Sequence, residues 1–402
     1  MRKRKSWQRY RYRGDKGPPS ILSLMLSLAL IVGAVFAVDW LLSGRDKPDE
    51  PPPVSVQPPA PEREPEAPSP LTPPKPEEVR GIYITGPIAG SPYLDELLAL
   101  TDNTELNAVV VDIKNDEGHL TYQSDGGTAA EIGACARYIP DLPGLVETLK
   151  AHELYTIARI SAFKDPVLAG ARPELALCYQ NGFPVSEGGG PAWVNPYEPK
   201  VWNYLEEIAL DAAAAGFDEV QFDYVRFPTG KSADQVDYGP SAGDRSKADA
   251  VAGFLESITA ALHAKNVLVS ADVFGAVIDS NTDAALIGQD YTRLAGIVDY
   301  ICPMIYPSHY SSGAFGLEVP DQAPYETVLG ALLKSKAVLA GQEAGVRPWL
   351  QDFTATWVPG HLDYGAEELR AQIQAVYDAG YTDWLLWNGK NQYTAGGLLP
   401  AS

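Results

Sequence analysis

From residue 81 onward the chain alternates short apolar runs with helix-length segments, and this alternation limits the folds open to it. The apolar runs lie at 81–85, 108–113, 154–160, 219–226, 267–273, 299–305, 347–353 and 384–387. Helical segments lie between them at 93–100, 142–152, 200–215, 248–264, 291–295, 325–337 and 367–379. Asp141 and Pro143 open the second helix, and Gly216 and Gly380 close the third and the last. Strands that alternate with helices of three turns or so read as parallel strand–helix–strand units. Eight of them fit a (β/α)8 TIM barrel, which takes about 250 residues before insertions. The alternative is a doubly wound open sheet, which carries a glycine-rich phosphate loop after its first strand. Gly86-Pro87-Ile88-Ala89-Gly90 does not have that pattern.

The first 79 residues have a different composition. Residues 1–19 are strongly basic and read as a cytoplasmic tail. Within 20–43, an uncharged apolar run from Ile21 to Val38 is close to the roughly 20 residues a transmembrane helix needs. Lys and Arg stay on the cytoplasmic side, so this segment reads as an anchor with the rest of the chain outside the cytoplasm. A cleaved signal peptide, with Val35-Phe36-Ala37 at the cleavage site, is the competing reading. Residues 44–79 are rich in Pro, Glu and Ala and read as a disordered or polyproline linker. The barrel then occupies 80–402.

A formal net charge of −21 argues against a nucleic-acid partner, which needs a basic face. The three cysteines, Cys135, Cys178 and Cys302, form no CxxC, and the five histidines are scattered. No metal or cofactor is therefore expected. Cys135 and Cys178 fall in successive loops and are a candidate disulfide in an oxidising compartment; Cys302 reads as core.

Chemistry is expected where the strands end, because in a barrel those ends ring one mouth. Strand two brings Asp112 and Lys114, strand three Arg159 and Ser161, strand four Asp223 and Arg226, strand five Asp272, strand six Tyr306 and His309, strand seven Asp352, and strand eight Trp387 and Asn388. Carboxylates flanked by aromatics make up a sugar-cleaving site: one acid protonates the leaving oxygen while the other attacks the anomeric carbon or activates water. Asp223 and Asp272 sit on neighbouring strands about 4.8 Å apart, near the roughly 5–5.5 Å of a retaining pair. Asp223 is the expected nucleophile, Asp272 the expected acid/base, and Arg226 the opposing charge that keeps Asp223 ionised. Asp112 and Asp352 are rival partners. Lys114 opens a second possibility, a Schiff-base lysine, although Asp112 and Asp116 beside it favour its charged form. Trp193, after a Gly188-Gly189-Gly190 run, is either a sugar platform or a packing residue.

Several of these segments together resemble a known family. They are Gly81-Ile82-Tyr83, Val110-Val111-Asp112-Ile113-Lys114, Trp193-Val194-Asn195-Pro196-Tyr197, Gly216 to Pro228 with its Phe222-Asp223-Tyr224-Val225-Arg226-Phe227-Pro228, and Pro303-Met304-Ile305-Tyr306-Pro307-Ser308-His309-Tyr310. They resemble a bacterial family of glycosyl hydrolase-like domains with an expected (β/α)8 barrel. The resemblance spans about 81–393 and implies glycoside hydrolysis. In amylase-like and galactosidase-like barrels an aspartate ending strand four is the nucleophile, which carries over to Asp223. Their acid/base is a glutamate on strand five or an aspartate on strand six. This chain has Asp272 on the former and Tyr306 and His309 on the latter, so that role carries over less well. The resulting expectation is a membrane-tethered, retaining glycoside hydrolase acting outside the cytoplasm on a polysaccharide or oligosaccharide. The alternative from another class is a glycan-binding barrel without catalysis.

Overall fold

The computed structural model describes residues 72–187, 190–230 and 235–401. The basic tail, the apolar segment and most of the Pro-rich linker lie outside these residues. Among the described residues no helix is long and apolar enough to cross a membrane.

Eight parallel strands close into a barrel: β1 Arg80–Ile84, β2 Ala108–Lys114, β3 Tyr155–Ser161, β4 Glu219–Asp223, β5 Leu268–Phe274, β6 Tyr300–Met304, β7 Trp349–Gln351 and β8 Trp384–Trp387. Closure is made by β1, which pairs with β2 on one side and β8 on the other. This rules out the open sheet. Gly81 sits on the seam because a Cβ there would lie 2.8 Å from the Leu385 side chain and 3.1 Å from the Ala108 carbonyl. The strands are joined by α1 Leu94–Asp102, α2 Leu142–Ala151, α3 Pro199–Ala215, α4 Lys247–His263, α5 Tyr291–Ala295, α6 Pro324–Val338 and α7 Ala366–Asp378. Among the described residues, β8 is followed only by a single 3-10 turn at Ala395–Gly397, so the eighth unit has no full helix.

Local sequence explains the helix ends. The Asp141 side chain accepts from the Gly144 N–H at the start of α2, and Ser246 with Asp249 makes a capping box on α4. Gly216 takes a left-handed φ of 98° where α3 stops. On α3 the buried positions Val201, Tyr204, Leu205, Ile208, Ala209 and Ala212 recur every three or four residues and face the barrel.

β4 shows how the sequence builds the interior. Its alternate residues Val220 and Phe222 point outward into the helix layer, where Phe222 meets Phe254 of α4 with ring centroids 5.2 Å apart. Glu219, Gln221 and Asp223 take the intervening positions along the barrel axis, and all three are buried. The floor of the barrel is polar: Glu219 accepts two bonds from Nη2 of Arg347, at 2.7 and 2.9 Å, and a third from the Tyr155 hydroxyl at 3.0 Å. Arg347 also lies 4.1 Å over the ring of Tyr300. Above this floor, toward the strand C-termini, is the candidate site.

Two strand ends differ from the sequence expectation. β4 stops at Asp223, not Arg226, because Tyr224 turns into the left-handed region with φ 49°. β7 keeps only Trp349–Gln351 of 347–353.

Candidate active site

A cavity of about 400 Å3 opens at the C-terminal mouth, with Arg159, Asp223, Asp272, Tyr306, Trp349 and Trp387 on its wall. β4 and β5 pair from Leu268 with Glu219 up to Ala271 with Phe222. Asp272 and Asp223 are one step beyond that last pair and share the inward face.

Asp223 is fixed on both oxygens. Nη2 of Arg159 donates to its Oδ2 at 2.5 Å, and the Tyr224 backbone N–H donates to its Oδ1 at 2.6 Å. The second bond exists because of the left-handed turn at Tyr224, a conformation uncommon for a non-glycine residue. Burial, and then the Asp223 charge, push the Tyr224 phenol up to about 12.

Arg159 holds two acids at once. Its Nη1 donates to Asp112 Oδ1 at 2.6 Å, and the Tyr83 hydroxyl donates to Asp112 Oδ2 at 2.9 Å. The guanidinium carbon lies 5.5 Å from the ring centres of both Tyr83 and Trp387, which are themselves stacked at 4.3 Å. A planar guanidinium suits such a double role, with one nitrogen of its fork to each acid and its charge beside the rings. Asp112 stays above the usual carboxylate range because loss of solvent outweighs Arg159.

Asp272 sits in different surroundings. Its Oδ1 accepts from the indole N–H of Trp349 at 2.7 Å. Burial raises its pKa well above the usual range, and the Asp223 charge adds to the rise. Gln289 bridges the end of β5, donating to the Asp272 carbonyl at 3.1 Å and accepting from Phe274 N–H at 3.0 Å. The two acids therefore differ in environment, one paired with a cation and one desolvated, as an acid/base division of labour requires. Tyr306, buried beside them, has its phenol pushed up by burial and then by the Asp272 and Asp223 charges, so it stays a hydroxyl.

The model for "Putative glycosyl hydrolase domain" matches residues 81–393. The chain belongs to that family. No curated protein sequence matches this chain. Among solved structures, the glycoside hydrolase domain of PgaB (BpsB) from Bordetella bronchiseptica is similar at 15% identity and a TM-score of 0.57, over 77% of this chain and 94% of that one. The catalytic domain of a β-amylase from Paenibacillus polymyxa aligns at 13% identity and a TM-score of 0.51, over 81% and 96% of the two chains. A hypothetical protein from Ruminiclostridium thermocellum is 36% identical over 48% of this chain and 97% of that chain, with a TM-score of 0.44. At these identities the first two establish a shared fold.

Of the residues singled out from the sequence, Asp223, Asp272, Arg226, Tyr306, His309 and Trp387 line the cavity. Arg226 lies 4.9 Å over Trp193 and 4.5 Å over Phe274, and its Nη1 donates to the Phe227 carbonyl at 3.0 Å. The guanidinium bonded to Asp223 is that of Arg159.

Others are placed elsewhere. Asp112 lies behind Arg159. Lys114 is fully buried, with Nζ 2.9 Å from Asp165 Oδ2 and 2.7 Å from the Ser161 carbonyl. A register shift between Asp112 and Lys114 turns the lysine out of the barrel toward α3, 6.0 Å from the Tyr204 ring, so it cannot meet a substrate carbonyl in the cavity. Asp352 accepts from the Thr394 backbone N–H and hydroxyl. Asn388 ties together the Asp352 and Gln392 carbonyls. Trp193 is buried under Tyr224 and Arg226 and is a packing residue, not a platform. Cys135 and Cys178 are both free thiols.

Arg159 was legible as a polar strand end at the mouth but was given no role in the site, and Trp349 and Tyr83 were not singled out. An arginine at an inward strand position was a legible signal for the first. Trp349 and Tyr83 look like core until their partners are known. Among the described residues no group of three or more His, Cys, Asp or Glu is arranged to hold a metal ion.

Proposed function

We propose that this domain hydrolyses glycosidic bonds with Asp223 and Asp272 as its two working acids. The observation that carries the reading is their unequal setting on one cavity wall: Asp223 is ion-paired with Arg159, and Asp272 is desolvated with a raised pKa. Asp272 is the proton donor to the leaving oxygen. Trp349 occupies Oδ1, which leaves Oδ2 to carry the proton. Asp223 is the carboxylate facing the anomeric carbon. Adjacent strands about 4.8 Å apart support the short spacing of a retaining mechanism, about 5–5.5 Å between carboxyls. After the first transfer Asp272, now ionised, takes a proton from the incoming water, which releases the sugar from Asp223.

The substrate class we infer is a cell-envelope or environmental polysaccharide or oligosaccharide. Trp387, backed by Tyr83, and Tyr306 both stand on the cavity wall and supply apolar surface of the kind pyranose rings pack on. We further propose that the domain works outside the cytoplasm, tethered by residues 20–43, on the basis of the basic tail and apolar run alone.

The test is release of reducing ends from a panel of glycans by the wild-type chain, Asp223→Asn and Asp272→Asn. Asp272→Asn is expected to lower turnover by about 10²–10⁴-fold, the span of general acid–base contributions, and Asp223→Asn, which removes the nucleophile, by at least as much. Wild-type turnover by both variants on a glycan the protein cleaves removes the assignment. Binding without cleavage by the wild type favours a glycan-binding barrel.

A further inference from the structure

Just outside the cavity the loop after β7 carries an aromatic shelf. Trp357 is 64% exposed, the highest exposure of any tryptophan among the described residues. One face of its indole is backed by Phe353, with centroids 6.0 Å apart and planes 24° apart. Phe353 in turn meets Tyr306 at 6.0 Å, and the rings of His309 and Trp357 stand perpendicular at 6.3 Å. Tyr306 and His309 both line the cavity, so the shelf is continuous with it.

Single exposed hydrophobic side chains are ordinary and need no explanation. This one differs in how it is held. Asp321, buried in the loop between β6 and α6, accepts from Gln351 Nε2 at 3.1 Å and from the Leu362 N–H at 3.1 Å. Tyr364 donates its hydroxyl to the Asp321 carbonyl at 3.1 Å and its N–H to Thr354 Oγ1 at 3.0 Å. Gln322 reaches the Gly360 carbonyl from the same side. Both ends of the Trp357 loop are thus tied to a neighbouring loop, and the indole is presented flat by Phe353. A rigid aromatic surface loses little conformational entropy when a ligand covers it.

We propose that Trp357, backed by Phe353 and flanked by His309, is a second sugar-binding subsite that takes the next ring of a glycan chain whose cleaved bond lies between Asp223 and Asp272. The inference rests on the carbohydrate reading above and narrows it. The ligand is a chain of sugars that extends out of the cavity over the β6–β7 side of the mouth, and a single glycoside is too short to use the subsite.

The experiment measures binding of soluble chito-, cello- and malto-oligosaccharides of two to six units by calorimetry, using the full chain in wild-type form and as Trp357→Ala and Trp357→Phe. Each is made in an Asp272→Asn background, which is expected to slow turnover during the titration. In at least one series affinity is expected to rise with chain length. Trp357→Ala then lowers the affinity for the longer chains about fivefold to tenfold, the size of one aromatic contact, and leaves the disaccharide within twofold. Trp357→Phe retains most of the gain. The proposal is overturned if no series gains affinity with length, or if Trp357→Ala weakens short and long chains equally or leaves both intact. Loss of the length dependence alongside unimpaired cleavage by the Asp223 and Asp272 variants would remove the catalytic assignment and keep the subsite. Cleavage that depends on both acids with an unchanged length dependence would remove the subsite alone.

Discussion

Nη2 of Arg159 lies 2.5 Å from Oδ2 of Asp223, and both side chains are almost wholly buried. The same guanidinium reaches Asp112 at 2.6 Å, so one cation spans two acids from β2 and β4. Its desolvation is offset only while both partners stay charged and bonded. Arg159→Met therefore leaves Asp112 and Asp223 as uncompensated buried acids. The expected loss is about 3–5 kcal/mol of unfolding free energy, the range for breaking a buried pair, measured by urea denaturation. Adding Asp112→Asn is expected to recover part of it. A loss under about 1 kcal/mol, the range of a surface pair, would show that the network contributes little.

Trp349 moderates the proton affinity of Asp272, which burial and then the Asp223 charge raise. Its indole N–H stabilises the ionised carboxylate and so opposes the rise caused by burial and the Asp223 charge. Trp349→Phe removes that bond and raises the Asp272 pKa further. A general acid works only while protonated, so the alkaline limb of the kcat/KM profile is expected to move to higher pH. An alkaline limb that stays put, or moves down, would separate Trp349 from the proton donor.

Lys114 is structural. Lys114→Met strands Asp165, whose side chain is fully buried, and is expected to destabilise by about 3–5 kcal/mol. The double variant Lys114→Met, Asp165→Leu removes both charges, and a large recovery of stability is expected in thermal melts. Borohydride treatment in the presence of an aldehyde or ketone sugar is expected to trap no adduct at Lys114. A trapped adduct would restore the Schiff-base alternative.

Gly275 forms the cavity wall where β5 ends. A Cβ there would stand 2.2 Å from the Tyr310 hydroxyl and 2.7 Å from the Met304 carbonyl. The hydroxyl can move aside but the backbone carbonyl cannot do so freely. Gly275→Ala is expected to destabilise by about 1–3 kcal/mol through overpacking and to weaken oligosaccharide binding by narrowing the cavity. Unchanged stability together with unchanged affinity would place the cavity wall elsewhere.

The barrel was legible because apolar runs and helices alternate without interruption, and because the helix stops at Gly216 and Gly380 are local signals. Of the six cavity residues found from the sequence, Asp223, Asp272 and Trp387 sit at strand ends, where position along the strand is enough to place them, and Tyr306, His309 and Arg226 follow in the loops just beyond. The misplacements share a cause, which is that facing is set by geometry invisible along the chain. A register shift within β2 turned Lys114 out of the barrel, although Asp112 two residues earlier faces in. The left-handed turn at Tyr224 ended β4 at the acid, with Arg226 beyond it among aromatic rings. Asp352 and Asn388 occur at strand ends, as the cavity residues do, but their polar atoms are taken up by Thr394 and by loop carbonyls. Arg159 acts through Asp112 and Asp223, 47 and 64 positions away in the chain, and Trp349 through Asp272, 77 positions away. Nothing within either residue's own segment reveals those contacts.

The claim that Asp223 and Asp272 work as one pair is tested most directly, and without any substrate, by carboxyl-carbon NMR titration of 13C-labelled aspartates. Asp272 is expected to titrate well above the ordinary aspartate range of roughly 3.5–4 in the wild-type chain and to fall toward that range in Asp223→Asn, since the Asp223 charge contributes to the rise. An Asp272 that titrates with ordinary aspartates, or whose midpoint is unmoved by Asp223→Asn, would contradict the account.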